Sequence, residues 1–96
     1  MPRVVFTAAA LRDLQRLRAF LRPNNPSAAQ RAGAIIIQGL QKLGVHPRMG
    51  RRIEDFPEEY REWLIGFGDS SYVARYRFDG EVVTILAVRH QKEAGF

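Results

Sequence analysis

Arg3-Val4-Val5-Phe6 is a short β-branched and aromatic run, which predicts a first strand. Thr7 follows in the position of an N-cap, and Ala10, Leu11, Leu14, Leu17 and Leu21 then recur at helical spacing along one side. Arg12 and Arg16 stand well away from this stripe, while Arg18 and Arg22 flank it. The Arg-Pro-Asn-Asn-Pro stretch at 22–26 ends the helix. A second helix is expected from there, with Asn25 as N-cap and Pro26 in the first turn, where a missing N–H costs nothing. Its stripe is Ala29, Ala32, Gly33, Ile36, Leu40 and Leu43. Gly44 is a stop signal and Pro47 prevents resumption. So short a connection predicts an antiparallel helical hairpin, and the small residues at 29, 32 and 33 allow close approach.

Beyond residue 59 the period changes to two. Residues 60–67 (YREWLIGF), 71–78 (SYVARYRF) and 81–89 (EVVTILAVR) read as three successive strands. Gly68-Asp69-Ser70 makes the first turn and Asp79-Gly80 the second, a two-residue hairpin signal because both positions tolerate positive φ. The expected architecture is α+β, in the order β-α-α-β-β-β, with a helical hairpin packed on one face of a mainly antiparallel sheet. A two-residue turn would set Phe78 opposite Glu81, Tyr76 opposite Val83, Ala74 opposite Ile85 and Tyr72 opposite Ala87. That face is the more apolar and should receive the helices. Trp63, Ile65 and Phe67 belong with the core, and Tyr60 lies on the other face. The bare face would carry Val73, Arg75, Arg77, Val82, Thr84, Leu86 and Val88. Simple alternation turns Arg89 toward the helices, whereas a bulge near the strand's end would swing it to join Arg75 and Arg77.

Ninety-six residues, 46% hydrophobic and 26% charged, fit one domain spanning 1–96 with a modest core. No apolar run approaches the roughly 20 residues of a membrane span, and the N-terminus lacks the apolar core of a signal peptide, so a cytoplasmic location is expected. With no cysteine there are neither disulfides nor thiolate metal sites. The net charge of +5 hides an asymmetry. Residues 1–53 carry nine Arg and one Lys against the single acid Asp13, whereas residues 54–96 carry nine acids against five bases. A basic half favours an anionic partner, nucleic acid or acidic protein.

Arg75 and Arg77 at i, i+2 in a strand project from one side, and the loop bearing Arg48, Arg51 and Arg52 leads toward the same face. Together with Arg89 these would form an anion-binding surface, unless Arg75 and Arg77 are taken up by acids such as Glu62 or Glu81. His46 and His90 are the only histidines, 44 positions apart and without clustered carboxylates, so no metal site is expected, nor any cofactor. His46 follows a helix C-terminus, where a cation is favourable.

Three stretches in this order resemble the RelE/ParE superfamily of toxins from type II toxin–antitoxin modules. They are ALRDLQRLRAFL after the first strand, YREWLIGFGDSSYVARYRF as a strand pair, and VVTILAVRHQKEAGF as last strand and tail. The segment ILAVRHQKE is closer to the ParE, plasmid-stabilisation side. The resemblance covers essentially the whole chain. It implies a growth-inhibiting toxin neutralised by a cognate antitoxin, acting on DNA gyrase if ParE-like or cutting mRNA on the ribosome if RelE-like.

In the nuclease case His90 and Arg89 at the last strand's end would be catalytic, with Phe96 stacking on a base. Departures weigh against cleavage: the lysine pair typical of the RelE loop is replaced by Arg51 and Arg52, and no tyrosine follows the last strand. Arginine stabilises charge but is a poor base. Gyrase inhibition is therefore favoured, with Arg48, Arg51, Arg52, Arg75, Arg77, Arg89, Lys92 and Phe96 expected to face the target. Arg12, Arg16, Arg18, Arg22 and Arg31 make the helical hairpin positive, which suits an antitoxin segment with acidic residues and apolar anchors at helical spacing. Tyr60 is expected to contact the antitoxin at an edge.

Overall fold

The computed structural model describes residues 2–21, 26–67 and 70–93. The chain runs β1 (Arg3–Phe6), α1 (Ala8–Leu21), α2 (Pro26–Gln41), a 3₁₀ turn at Lys42–Gly44, β2 (Arg51–Arg52), β3 (Tyr60–Phe67), β4 (Ser70–Phe78) and β5 (Val82–His90). The sheet order is β1-β5-β4-β3-β2, parallel between β1 and β5 and antiparallel elsewhere. Two helices pack on one face of this sheet, as the alternation of apolar positions requires.

Thr7 joins strand to helix. Its Oγ1 accepts the Ala10 N–H at 3.0 Å as an N-cap and donates to the Ile85 carbonyl at 3.0 Å, so one hydroxyl starts α1 and ties it to β5. From α1, Ala10, Leu14 and Leu17 are buried. α2 contributes Ala29, Ala32, Ile36 and Leu40, with Leu43 following in the 3₁₀ turn. Leu11, expected in the stripe, is 50% exposed, because it is offset by about 100° from Ala10 and falls beyond the contact strip. The sheet supplies Ile65, Tyr72, Ala74, Tyr76, Phe78, Val83, Ile85 and Val88, with Trp63 and Phe67 packed against them. The expected N-cap Asn25 and the Gly68-Asp69 part of the first turn lie outside the described residues.

The β4–β5 register differs from the expectation in two ways. Phe78 pairs with Val83 rather than Glu81, and Tyr76 with Ile85. The cause is the Asp79 carboxylate, which accepts the N–H groups of Glu81 and Val82, both at 2.9 Å. It builds a wider turn that includes Gly80 at φ +99°. A shift of two preserves the faces, so Tyr76 and Phe78 still point to the core. Further along, Arg75 pairs with Ala87, which leaves Leu86 as the extra residue of a bulge. Beyond it the alternation inverts: Val88 becomes fully buried and Ala87 turns to the bare face, each the reverse of the expected placement.

Candidate target-facing surface and helical hairpin

On the bare face, cross-strand neighbours are Tyr60 with Arg77, Glu62 with Arg75 and Leu64 with Val73. The arginines do gather here, but each meets a carboxylate. Arg75 Nη2 donates to Glu62 at 3.0 Å, and Arg51 reaches the other oxygen of Glu62 at 3.3 Å. Arg77 donates through Nε and Nη2 to Glu59 at 3.2 and 2.9 Å, with Asp79 at 3.9 Å. Glu62 thus plays the anticipated part, while Glu59 takes the place given to Glu81. The Arg75 guanidinium also lies 4.9 Å from the centre of the Phe56 ring, which stands edge-on to Tyr60 at 5.8 Å. Phe56 and Leu64 are 42% and 51% exposed, so this face is a mixed apolar and ion-paired surface rather than a field of bare cations. Phe56 went unnoticed in the sequence; its signal is one aromatic residue inside the acidic stretch Glu54-Asp55-Phe56-Pro57-Glu58-Glu59.

The basic loop divides. Arg51 and Arg52 form the short strand β2 against Glu62 and Arg61 of β3. Arg48 lies instead over Phe78, 4.8 Å from its ring centre, at the end of the helix-bearing face, and so does not join Arg75 and Arg77. What holds the loop is Tyr76. Its buried hydroxyl donates to the Pro47 carbonyl at 2.7 Å and accepts the Gly50 N–H at 3.0 Å, while Arg61 donates to the Gly50 carbonyl at 2.9 Å. Burial pushes the Tyr76 hydroxyl pKa upward, with the Gly50 N–H opposing that shift only in part.

At the end of β5, the bulge sets Arg89 opposite Val73, yet its guanidinium pairs with Asp13 of α1 at 2.6 Å. Asp13 also accepts the Val88 N–H at 2.9 Å. Partial burial disfavours the Asp13 carboxylate, but the Val88 N–H and Arg89 outweigh it and hold the pKa below its ordinary value. His90 pairs with Tyr72, the two rings edge-to-face at 5.3 Å, and its Nδ1 accepts the Lys92 N–H at 3.1 Å. Glu93 accepts the His90 N–H at 2.8 Å and pairs with Arg16. Lys92 is exposed, and Phe96 lies outside the described residues.

On the helical hairpin Arg12 is exposed. Arg31 donates to Ser27 at 2.6 Å, and Arg18 crosses α2 at Gly33, where it would lie 2.6 Å from an added Cβ. Arg22 lies outside the described residues. Tyr60 sits with Glu62 and Leu64 on the opposite side of the sheet, so the structure separates it from the hairpin arginines with which it was grouped. Among the described residues, no group of three or more His, Cys, Asp or Glu side chains is placed to hold a metal, and no helix is long and apolar enough to cross a membrane.

Comparison with known proteins agrees with the fold. Two curated relatives come from Caulobacter vibrioides. Toxin RelE3 is 38% identical over 84 residues, 88% of each chain, and toxin RelE1 is 36% identical over 90 residues, 94% of each. The fold matches a solved structure of a chromosomal ParDE toxin–antitoxin system from P. aeruginosa with a TM-score of 0.76, covering 94% of this chain and 96% of that one at 22% identity. The family model for the ParE toxin of type II toxin–antitoxin systems matches residues 4–95. With this match over nearly its whole length, the chain belongs to the ParE toxin family within the RelE/ParE superfamily, and is the toxin of a type II toxin–antitoxin system with a cognate antitoxin as partner.

Proposed function

We propose that this toxin arrests growth in the cytoplasm by binding and poisoning DNA gyrase, not by cutting ribosome-bound mRNA. The observation that carries the reading is the hydrogen bond from the Lys92 N–H to His90 Nδ1. With Nδ1 used as acceptor, the neutral imidazole bears its proton on Nε2 and offers a donor there, not the lone pair a general base needs. The arginines are committed as well: Arg89, next to it, to Asp13, and Arg75 and Arg77, farther along the sheet, to Glu62 and Glu59. A phosphate would have to displace these carboxylates before a developing phosphorane could be stabilised. The surface offered by Phe56, Tyr60, Leu64, Val73 and Arg75 suits a protein partner better, through exposed apolar groups framed by paired charges.

The RelE names of the two Caulobacter relatives favour the other reading, ribosome-dependent mRNA cleavage with His90 and Arg89 as catalytic groups. One induction experiment separates the two. Soon after expression, gyrase poisoning gives chromosome breakage, and the purified toxin traps gyrase in cleaved complexes with DNA. Rapid cleavage of ribosome-engaged transcripts with intact DNA would overturn the gyrase reading.

The cognate antitoxin is assigned to the helical hairpin. Arg12, Arg16, Arg18 and Arg31 lie there beside the single acid Asp13, and an acidic amphipathic segment complements that charge. Binding should weaken as salt rises, and affinity unchanged at 1 M salt would remove charge as the steering force. Tyr60 moves to the target-facing surface.

A further inference from the structure

One turn of α1 grips the end of the last strand at several points. Asp13 holds the Val88 N–H and the Arg89 guanidinium. Arg16 donates to the Val88 carbonyl at 3.3 Å, to Asp13 at 3.3 Å and to the Glu93 carboxylate. Glu93 in turn closes the His90–Glu93 turn by accepting the His90 N–H. A single guanidinium therefore connects the hairpin surface to the turn that carries His90 and Lys92.

The contacts of that guanidinium are not equally firm. Asp13 is only 13% exposed and is committed to β5, whereas Glu93 is 34% exposed. Arg16 is itself 41% exposed, on a hairpin whose other described charges are Arg12, Asp13, Arg18 and Arg31. We propose that Arg16 is an exchangeable contact: a carboxylate of the acidic antitoxin segment lying along α1 takes it from Glu93, and the His90–Glu93 turn loses its tie to the helix. The inference rests on the seating of the antitoxin on the hairpin proposed above. Exposed ion pairs contribute little net stability, so one carboxylate replaces another at small cost. Antitoxin binding on one face of the toxin is thereby felt at His90 and Lys92 without those residues being covered.

The test measures the affinity of the cognate antitoxin by titration calorimetry for wild-type toxin, E93Q, R16Q and the double variant, with amide exchange of residues 90–93 followed in free and bound toxin. Removing the internal competitor should tighten binding roughly two- to five-fold in E93Q, the range open to one half-exposed ion pair. That gain should vanish in the R16Q background, and exchange at 90–93 should rise on binding and be high already in free R16Q. An E93Q affinity no tighter than wild type overturns the proposal, as does a gain that survives without Arg16, since that is a general charge effect. Tail exchange unchanged or slowed on binding overturns it too. Variants R12A and R31A separate this failure from failure of the seating. If they weaken binding while E93Q changes nothing, the seating stands and the exchange falls; if they leave affinity unchanged, both fall.

Discussion

The Tyr76 hydroxyl accepts the Gly50 N–H at 3.0 Å, across 26 residues of sequence, and donates to the Pro47 carbonyl at 2.7 Å. One phenol in the floor of the core thus anchors the loop that carries Arg48, Arg51 and Arg52. Gly50 makes the approach feasible, because an added Cβ would lie 2.6 Å from the phenolic oxygen and 2.7 Å from the Glu62 carbonyl. Tyr76→Phe should cost about 1–3 kcal/mol by leaving a buried donor and acceptor without their partner. Gly50→Ala should cost at least as much through overpacking. Urea denaturation measures both, and amide exchange at 48–52 should rise in Tyr76→Phe. Wild-type protection there would show that the loop is held by something else.

Glu62 neutralises two guanidiniums at once, those of Arg51 and Arg75, and Glu59 does the same for Arg77. Glu62→Gln and Glu59→Gln should each move elution from heparin to higher salt, with the double variant shifted furthest. Elution unchanged in the double variant would mean that these carboxylates do not mask the face toward polyanions.

His90 supplies the sharpest distinction between the two candidate targets. With Nδ1 engaged by the Lys92 N–H, His90→Ala should leave DNA breakage in toxin-expressing cells within about ten-fold of wild type. Loss of an essential general base would instead lower activity about 10²- to 10⁴-fold. Breakage assays and transcript mapping on the same induced cultures read both outcomes.

Acid should loosen the junction between α1 and the tail. The Asp13 and Glu93 carboxyls are partly desolvated, yet the Val88 N–H and Arg89 in one case, and the His90 N–H and Arg16 in the other, lower their pKa values below 3.8 and 4.5. A carboxyl depressed in the folded state contributes stability that is present above its unfolded pKa and lost as pH falls through the folded value. Stability should therefore hold from neutral pH down to roughly pH 4–5 and decline below it. Asp13→Asn should lower stability at pH 7 and flatten that acid limb, as followed by urea midpoint against pH. A limb as steep as wild type would place the acid sensitivity elsewhere.

Two buried glycines of α2 should respond in opposite directions. At Gly33 an added Cβ meets the side chain of Arg18, which is long and can move, so Gly33→Ala should be neutral or stabilising by up to about 1 kcal/mol through helix propensity. At Gly39 it meets three carbons of Ile65 between 3.0 and 3.1 Å, in the core, so Gly39→Ala should cost about 1–3 kcal/mol. Thermal melts of both variants check the ordering, and equal shifts would contradict it.

Element order, the Thr7 cap, the buried stripe of α2 and the inward faces of β3 and β4 were all legible in the chain. The stripe and the faces depend on a local period of 3.6 or 2 that repeats over several residues and averages out single exceptions, and the cap on a threonine hydroxyl placed just before the helix. β2 was not legible, because two residues carry no period and become a strand only by pairing with Arg61 and Glu62. The width of the Asp79 turn escaped too, since a side-chain oxygen rather than the Asp-Gly dipeptide sets it. Only the tertiary structure decided where the guanidiniums end. A bulge at Leu86 inverts the alternation just before Arg89, and Asp13, 75 positions upstream of Val88, caps the strand edge there. Alternation fixes the side of a sheet from which an arginine leaves, but its partner depends on register and on which carboxylates the fold brings within reach.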